Sequence, residues 1–321
     1  MDNSGALKFV RGGLVGKTSV PEMTHYAIQG GTIRAFNGVI TLSSPIEFPV
    51  DCNPKAAPFG AALNRCSDKV GIHKTKTGRI CIQSGNMRAY IELIDTEMPH
   101  QEPEGTVVPL DGDHFLRAIS ALKPFIGDDA SRPWTNGILF SGRSAFATNN
   151  VCLVEYFLGT EFPEEINIPV EAVKQMLLIE QPPTAIQISK NSATFHYKDG
   201  RWIHTLLYSL SWPPTLREVI AGGKEPLAPI PPDLFVGLET LADFLDKKDG
   251  RIWIRDGVIR TSIEDEVGAS YAVEGMPDGC YNLHMLRLIE SAAELASFTE
   301  YPNPVAFQRG NMRGVILGLR A

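Results

Sequence analysis

The segment GGLVGKTS, from Gly12, is the first stretch whose spacing could do chemistry. A phosphate-binding loop of the form G-x-x-x-x-G-K-[ST] cradles phosphates with its backbone N–H groups while its lysine reaches the outer phosphates. Gly16, Lys17 and Thr18 fit that pattern, but the glycine that should open the loop falls on Arg11, and a loop begun at Gly12 is one residue short. Nucleotide hydrolysis is disfavoured. YIELID, from Tyr90, could pass for the acidic metal-binding strand of a nucleotidase, yet any amphipathic strand reads this way. Glu264-Asp265-Glu266 is a charge run in a turn, which is ordinarily solvated. The seven histidines show no HxH or HxxxH spacing, and the five cysteines are odd in number with no CxxC, so buried reduced thiols are expected rather than a zinc site. Neither a G-x-S-x-G elbow nor a Cys–His signature is present. These side chains predict a protein that binds rather than catalyses and that needs no cofactor.

The elements around them belong to a chain of 321 residues, 43% apolar and 21% charged, long enough for two or three domains each with its own core. There is no run of 18 apolar residues, and MDNSGALKF lacks the charged-then-apolar build of a signal peptide. The expectation is a soluble cytoplasmic protein with no membrane partner. The formal charge of −7 argues against a tight groove binder of nucleic acid. It is unevenly spread: residues 1–110 carry +1, residues 111–221 carry −3 and residues 222–321 carry −5. Any nucleic-acid contact then requires the basic groups to gather on one face.

One layout recurs three times at a spacing of about 110–120 residues, which is domain size rather than the about 20–50 residues of a solenoid unit. It opens with two strands and a turn: GGTIRAFNGVITL from Gly30, NGILFSGRSAFATNNVCLV from Asn136, and DGRIWIRDGVIRTSIED from Asp249. In the second copy Ile138, Phe140, Ala145, Ala147, Val151 and Leu153 fall on alternating positions, with Ser141–Ser144 as the turn. A short strand running into a helix follows: EFPVDCNPKAAPFGAAL from Glu47, INIPVEAVKQMLLIE from Ile166, and GCYNLHMLRLIESAAEL from Gly279. A polar turn and a strand close each copy: SGNMRAYIELID from Ser84, KDGRWIHTLLYS from Lys198, and RGNMRGVILGLR from Arg309.

Local signals add detail. The Pro, Glu and Gly-rich stretch from Thr96 to Asp113 reads as a loop and domain junction near Val108. Asp113 is placed to cap a helix, HFLRAISALK, which buries Phe115, Ile119 and Leu122 and stops at Pro124. A further helix opens at Pro169, with Val170, Val173, Met176 and Leu177 facing inward and Lys174 and Gln175 solvated. AGGKEPLAPIPP, from Ala221, holds four prolines and two glycines and predicts a linker without a regular element. Leu234, Leu238, Leu241 and Leu245 then form a helical stripe, with Lys247 and Lys248 at the negative end of the helix dipole. The expected division is 1–108, 109–220, a linker at 221–231, and 232–321.

The threefold layout, with TNGILF from Thr135, AFATNNVCLVE from Ala145, INIPVEAV from Ile166, SWPPTLREV from Ser211 and GVILGLRA from Gly314, resembles the bacterial or phage sliding clamp, the beta subunit of replicative DNA polymerase. The resemblance implies an α+β fold of three tandem clamp domains, each with two antiparallel sheets and two helices on the inner face, closed head-to-tail into a dimeric ring. It implies a non-enzymatic processivity factor that encircles double-stranded DNA without reading sequence and holds the DNA polymerase there. An ATP-dependent clamp loader opens the ring, and that ATP belongs to the loader. The short, divergent chain suggests a phage origin and a host cytoplasm. A DNA-processing enzyme or nucleotidase with an unfamiliar site, and a structural β-rich phage protein, stay open as alternatives.

By the same resemblance, Lys17 and Arg132 are the DNA contacts, with Arg11, Arg117, Lys123, Lys174 and Arg287 as weaker ones. A solvated loop lysine is the alternative reading of Lys17. A pocket for a linear peptide of the polymerase or loader is expected from Thr135, Thr148, Leu153, Pro213 and Arg217, with Val315, Leu317, Leu319 and Arg320 on the last strand. Ordinary core packing would also explain Leu153, Val315 and Leu317. The family's Asp-Gly-His-Arg after Ala147-Thr148 is here Asn149-Asn150-Val151-Cys152, and its Met-Pro-Met-Arg near the end is Leu317-Gly318-Leu319-Arg320. The expected pocket is therefore smaller and more apolar, with a flexible glycine in place of a rigid proline.

Overall fold

The computed structural model describes all residues except 1–2, 68, 100, 180, 210–211, 222–225, 246–248, 265, 300 and 321. Helices run over Asn3–Val10 (α1), Ala56–Leu63 (α2), Gly112–Leu122 (α3), Val170–Leu177 (α4), Thr215–Ala221 (α5), Asp233–Leu241 (α6) and Leu283–Leu288 (α7). None of the described helices is long and apolar enough to cross a membrane. The chain divides into two compact units, 1–116 with 171–207, and 117–170 with 208–321.

The first unit contains a seven-stranded antiparallel sheet in the order Ala27–Gln29, Thr32–Phe36, Ile40–Pro45, Trp202–Leu206, Ser192–His196, Ala185–Ile188 and Thr106–Pro109. Its centre joins segments distant in sequence, with Trp202 opposite Ser43 and Thr205 opposite Ile40. One face carries the row Ala35, Leu42, Ile203, Phe195 and Ile186, all buried. Two helices cover it: the buried Leu7, Phe9 and Val10 of α1 face this core, and Phe115 of α3 stacks on Phe195 at 5.1 Å. The other face is polar yet buried, because residues 101–105 cross it. Thr41 Oγ1 donates to Gln101 Oε1 at 3.0 Å, Arg34 pairs with Glu102 at 2.8 Å, and Gln187 Nε2 donates to the Gly105 carbonyl at 2.9 Å. A three-stranded sheet of Gly71–Lys74, Arg79–Ser84 and Met87–Glu92 packs beside α2.

The second unit repeats this plan. Its eight-stranded antiparallel sheet runs Ile166–Pro169, Gly137–Ser141, Ser144–Thr148, Cys152–Phe157, Met312–Ile316, Val305–Arg309, Leu295–Ser297 and Ala228–Pro229. A four-stranded sheet holds Ser270–Ala272, Val258–Arg260, Arg251–Arg255 and Gly279–Asn282. Helices α6 and α7 pack together, with Leu234, Leu238, Leu283 and Leu286 buried, and Asn282 Oδ1 caps α7 by accepting from Met285 N at 3.1 Å.

Several sequence expectations shift. Asp111, not Asp113, caps α3, its Oδ1 accepting from His114 N at 3.0 Å. Pro169 ends a strand and α4 starts at Val170. Gln175 is not solvated but pressed against Gly12, where a Cβ would lie 1.9 Å from its Oε1. The expected linker contains Ala228–Pro229, which pairs with Leu295 and Ala296, since its prolines sit where an edge strand needs few donors. Leu245 lies past α6, whose axis tightens into a 3₁₀ turn at Ala242–Phe244. Lys247 and Lys248 lie outside the described residues.

Candidate functional site

The hairpin of residues 137–148 is buried on both faces rather than one. Ile138, Phe140, Ala145 and Ala147 share their side with Val154. The turn through Asn149–Val151, with Asn150 at φ 70°, sets the next strand so that Leu153 joins Leu139 and Phe146 on the opposite side. There Leu153 lies directly across from Val315, where two sequence-distant strands meet. Helix α5 crosses that seam. Leu139, Phe146, Leu153, Trp212, Ile220 and Val315 form one buried cluster, flanked by Trp134, Leu216 and Ala306. Trp212 Nε1 donates to the Trp134 carbonyl at 3.2 Å, and the two indoles meet edge to face at 5.3 Å. Such burial of indoles with a satisfied N–H makes a firm cover.

The expected pocket residues separate into three groups. Leu153 and Val315 are the floor of this cluster, 5% and 6% exposed. Thr135 and Thr148 are scaffold: both are buried, the hydroxyl of Thr135 donates to the Arg132 carbonyl at 2.9 Å, and that of Thr148 donates to the Cys152 carbonyl at 2.7 Å. They flank Gly127, where a Cβ would come within 2.6 Å of Thr135 Oγ1 and 3.2 Å of the Thr148 carbonyl. Pro213, Arg217, Leu317 and Arg320 are exposed. Arg217 is already engaged: Nη2 meets Glu165 Oε2 at 2.7 Å, and the guanidinium lies 5.6 Å over the Phe146 ring. Glu165 also accepts from Ser141 Oγ at 2.6 Å, and that hydrogen bond, with Arg217, holds its carboxyl below the usual range.

The last strand stops at Ile316, so Leu317, Leu319 and Arg320 lie beyond it. The segment is nevertheless tethered. Leu317 N donates to the Val151 carbonyl at 2.9 Å, Leu319 N to the Cys280 carbonyl at 2.8 Å, and Tyr301 Oη to the Leu319 carbonyl at 2.5 Å. Gly318 packs against the Tyr301 ring, where a Cβ would approach within 3.0 Å, so the glycine expected to be flexible serves close packing. Trp134, Phe146, Trp212, Ile220 and Glu165 join the site from outside the residues that the sequence predicts for it. The signal available was the pair of tryptophans bracketing the second repeat.

The expected DNA-contacting cations are distributed over both units. Arg11, Lys17 and Lys174 belong to the first and are exposed, and the Gln175–Gly12 contact brings the turn of Arg11 beside α4. Arg117, Lys123, Arg132 and Arg287 belong to the second. Arg117 and Lys123 are exposed. Arg132 Nη1 donates to Asn150 Oδ1 at 2.9 Å, while Arg287 leans toward Glu239 at 3.8 Å.

No protein-family model matches this sequence, and no curated protein sequence matches it. Solved structures do. The sliding clamp of Bartonella birtlesii, DNA polymerase III subunit beta bound to griselimycin, aligns with a TM-score of 0.83 at 14% identity over 99% of this chain and 97% of that one. The DNA polymerase sliding clamp of Pseudomonas aeruginosa aligns at 0.82 and 14% over 99% and 97%. The beta sliding clamp of Caulobacter crescentus aligns at 0.81 and 16% over 99% and 97%. The chain therefore has the α+β fold of bacterial sliding clamps, three domains of antiparallel sheets and helices, along its whole length.

Proposed function

We propose that this chain is a DNA sliding clamp, a non-enzymatic processivity factor that encircles duplex DNA and tethers a DNA polymerase. The observation that carries the reading is the fold likeness over 99% of the chain at a TM-score of 0.83, despite 14% identity. Its domains are 1–108, 109–220 and 232–321, joined by 221–231. Lys17 and Arg132, aided by Arg11, Arg117, Lys123, Lys174 and Arg287, supply weak phosphate contacts that permit sliding, since backbone contacts carry no sequence information.

Two copies close head-to-tail. Charge supports this arrangement: the three-stranded sheet and its flanks expose Lys69, Lys74, Lys76, Arg79 and Arg88, whereas the loops of the four-stranded sheet expose Asp256, Glu264, Glu266, Glu274 and Asp278, against Arg255 on its strands. A heterologous contact that closes after two copies hides the sheet edges on which it is built. The partner peptide of the polymerase or an ATP-dependent loader docks beside α5, next to the buried floor of Leu153 and Val315, with Pro213, Arg217, Leu317, Leu319 and Arg320 at the margin. The smaller and more apolar margin selects its own polymerase's tail over the ordinary bacterial motif. A phage origin fits the divergence.

The test is retention on DNA. The protein, loaded with its own or a host loader, should remain on nicked circular DNA and run off the same molecule once linearised. Equal retention on both forms would mean that topology does not hold it, and the clamp reading would fall.

A further inference from the structure

A cavity of about 530 Å³ opens beside α1 and the end of α4, wholly within the first unit, and of its lining the clamp reading uses Arg11 alone. Its wall has two characters. Phe9, Leu178 and Ile179 are apolar, whereas Lys8, Arg11 and Arg201 are cationic. No carboxylate stands among the described lining residues. Leu178 is 75% exposed, more than any other large apolar side chain among the described residues.

The cationic side is built in advance of any ligand. The Arg201 guanidinium lies 4.8 Å over the Phe9 ring, and Phe9 is itself held edge-on by Tyr197 at 5.5 Å. Arg201 Nη2 donates to Asp199 Oδ2 at 2.6 Å and to Gln181 Oε1 at 2.7 Å, while its Nε is buried with no hydrogen-bond partner. The amide end of Gln175 on α4 packs against Gly12, beside the turn that carries Arg11. The volume falls within the range of about 300–1,000 Å³ that small-molecule sites occupy, and apolar walls with a few fixed polar groups are their usual construction.

We propose that this cavity binds a carboxylate carried on a branched aliphatic or aromatic group. The carboxylate faces Arg11, whose forked N–H groups match its two oxygens, while Arg201, held by Asp199 and Gln181, backs the site. The apolar body covers Leu178 and Ile179. A DNA phosphodiester satisfies only the cationic half and leaves Leu178 in water, which is why a carboxylate with an apolar body fits better. The same chemistry is offered by a free small acid and by the last residue of a peptide. The inference is independent of the clamp reading.

The experiment uses the full-length chain and three probes: 4-phenylbutyrate, N-acetyl-Leu-Phe with a free carboxylate, and N-acetyl-Leu-Phe amide, titrated by calorimetry and by NMR. The acids should bind at least tenfold more tightly than the amide. Arg11→Ala and Leu178→Ser, both at exposed positions, should each weaken the acids tenfold or more with unchanged melting temperature. Tighter binding of N-acetyl-Leu-Phe than of phenylbutyrate identifies a peptide terminus as the source, and the reverse identifies a free acid. Equal binding of acid and amide overturns the proposal, as do variants that bind like the wild type. Duplex DNA perturbing Arg11 and Leu178 while neither acid binds also overturns it, in favour of a phosphate seat.

Discussion

His204 is 3% exposed, its Nδ1 3.0 Å from Thr194 Oγ1, and burial holds its pKa below the usual histidine value against the weaker opposing pull of Glu104 and Glu102. His196 is lowered for the same reason. In the unfolded chain both protonate near their ordinary value of about 6.5. The unfolded state then binds more protons, so folding stability falls as pH drops below about 6.5. Melting temperature should decline between pH 7 and pH 5, and the decline should shrink in a His196→Gln, His204→Gln variant. An identical decline in that variant would place the pH sensitivity elsewhere. The carboxylates whose pKa is lowered, such as Glu165 and Asp199, lose their contribution only in more acid solution. At the same scale, Lys17→Glu with Arg132→Glu should weaken DNA retention uniformly across sequences and flatten its salt dependence, because fewer counterions are released on binding. An unchanged salt slope counts against the assignment.

The cluster beneath α5 and the segment beyond Ile316 separate stability from recognition. Trp212 is 7% exposed at the centre of the covered cluster, so Trp212→Ala should cost about 3–5 kcal/mol, and Leu153→Ala about 2–5 kcal/mol. Chemical denaturation reads both. Leu317 is 44% exposed, and surface changes of that kind usually stay within about 0.5 kcal/mol. Leu317→Ser should therefore lower affinity for the polymerase tail without moving the denaturation midpoint, which Leu153→Ala cannot do. Unaltered peptide affinity in Leu317→Ser, measured by calorimetry, would remove the margin beyond Ile316 from the site.

Two copies should give a solution mass near twice 35.2 kDa. Individual exposed ion pairs contribute only about 0–1 kcal/mol, so apolar edge contacts must supply most of the closure. Raising salt should still loosen the dimer by screening the basic three-stranded sheet from the acidic loops of the four-stranded one. Light scattering at micromolar concentration checks both points, and a monomer at low salt would refute the closure.

The sequence by itself determined most of the threefold strand, helix and hairpin layout, because alternation, turn glycines and helical stripes are local properties that survive low identity; the strand expected before α2 is instead a set of isolated bridges at Cys52, Pro54 and Lys55. It also determined the buried positions of α3 and α4, since Phe115, Ile119, Val173 and Met176 can be read from spacing alone. Tertiary structure decided the rest. The seams pair Ser43 with Trp202 and Leu153 with Val315, partners separated by more than a hundred residues, and no local pattern names such a partner. The face on which Leu153 falls depended on one left-handed residue, Asn150, because strand register shifted by a single position turns every side chain over. That Arg217 is paired with Glu165, and that the glycine expected to be flexible, Gly318, packs against Tyr301, are likewise contacts between distant segments. Close contact between distant segments is what a linear pattern does not contain.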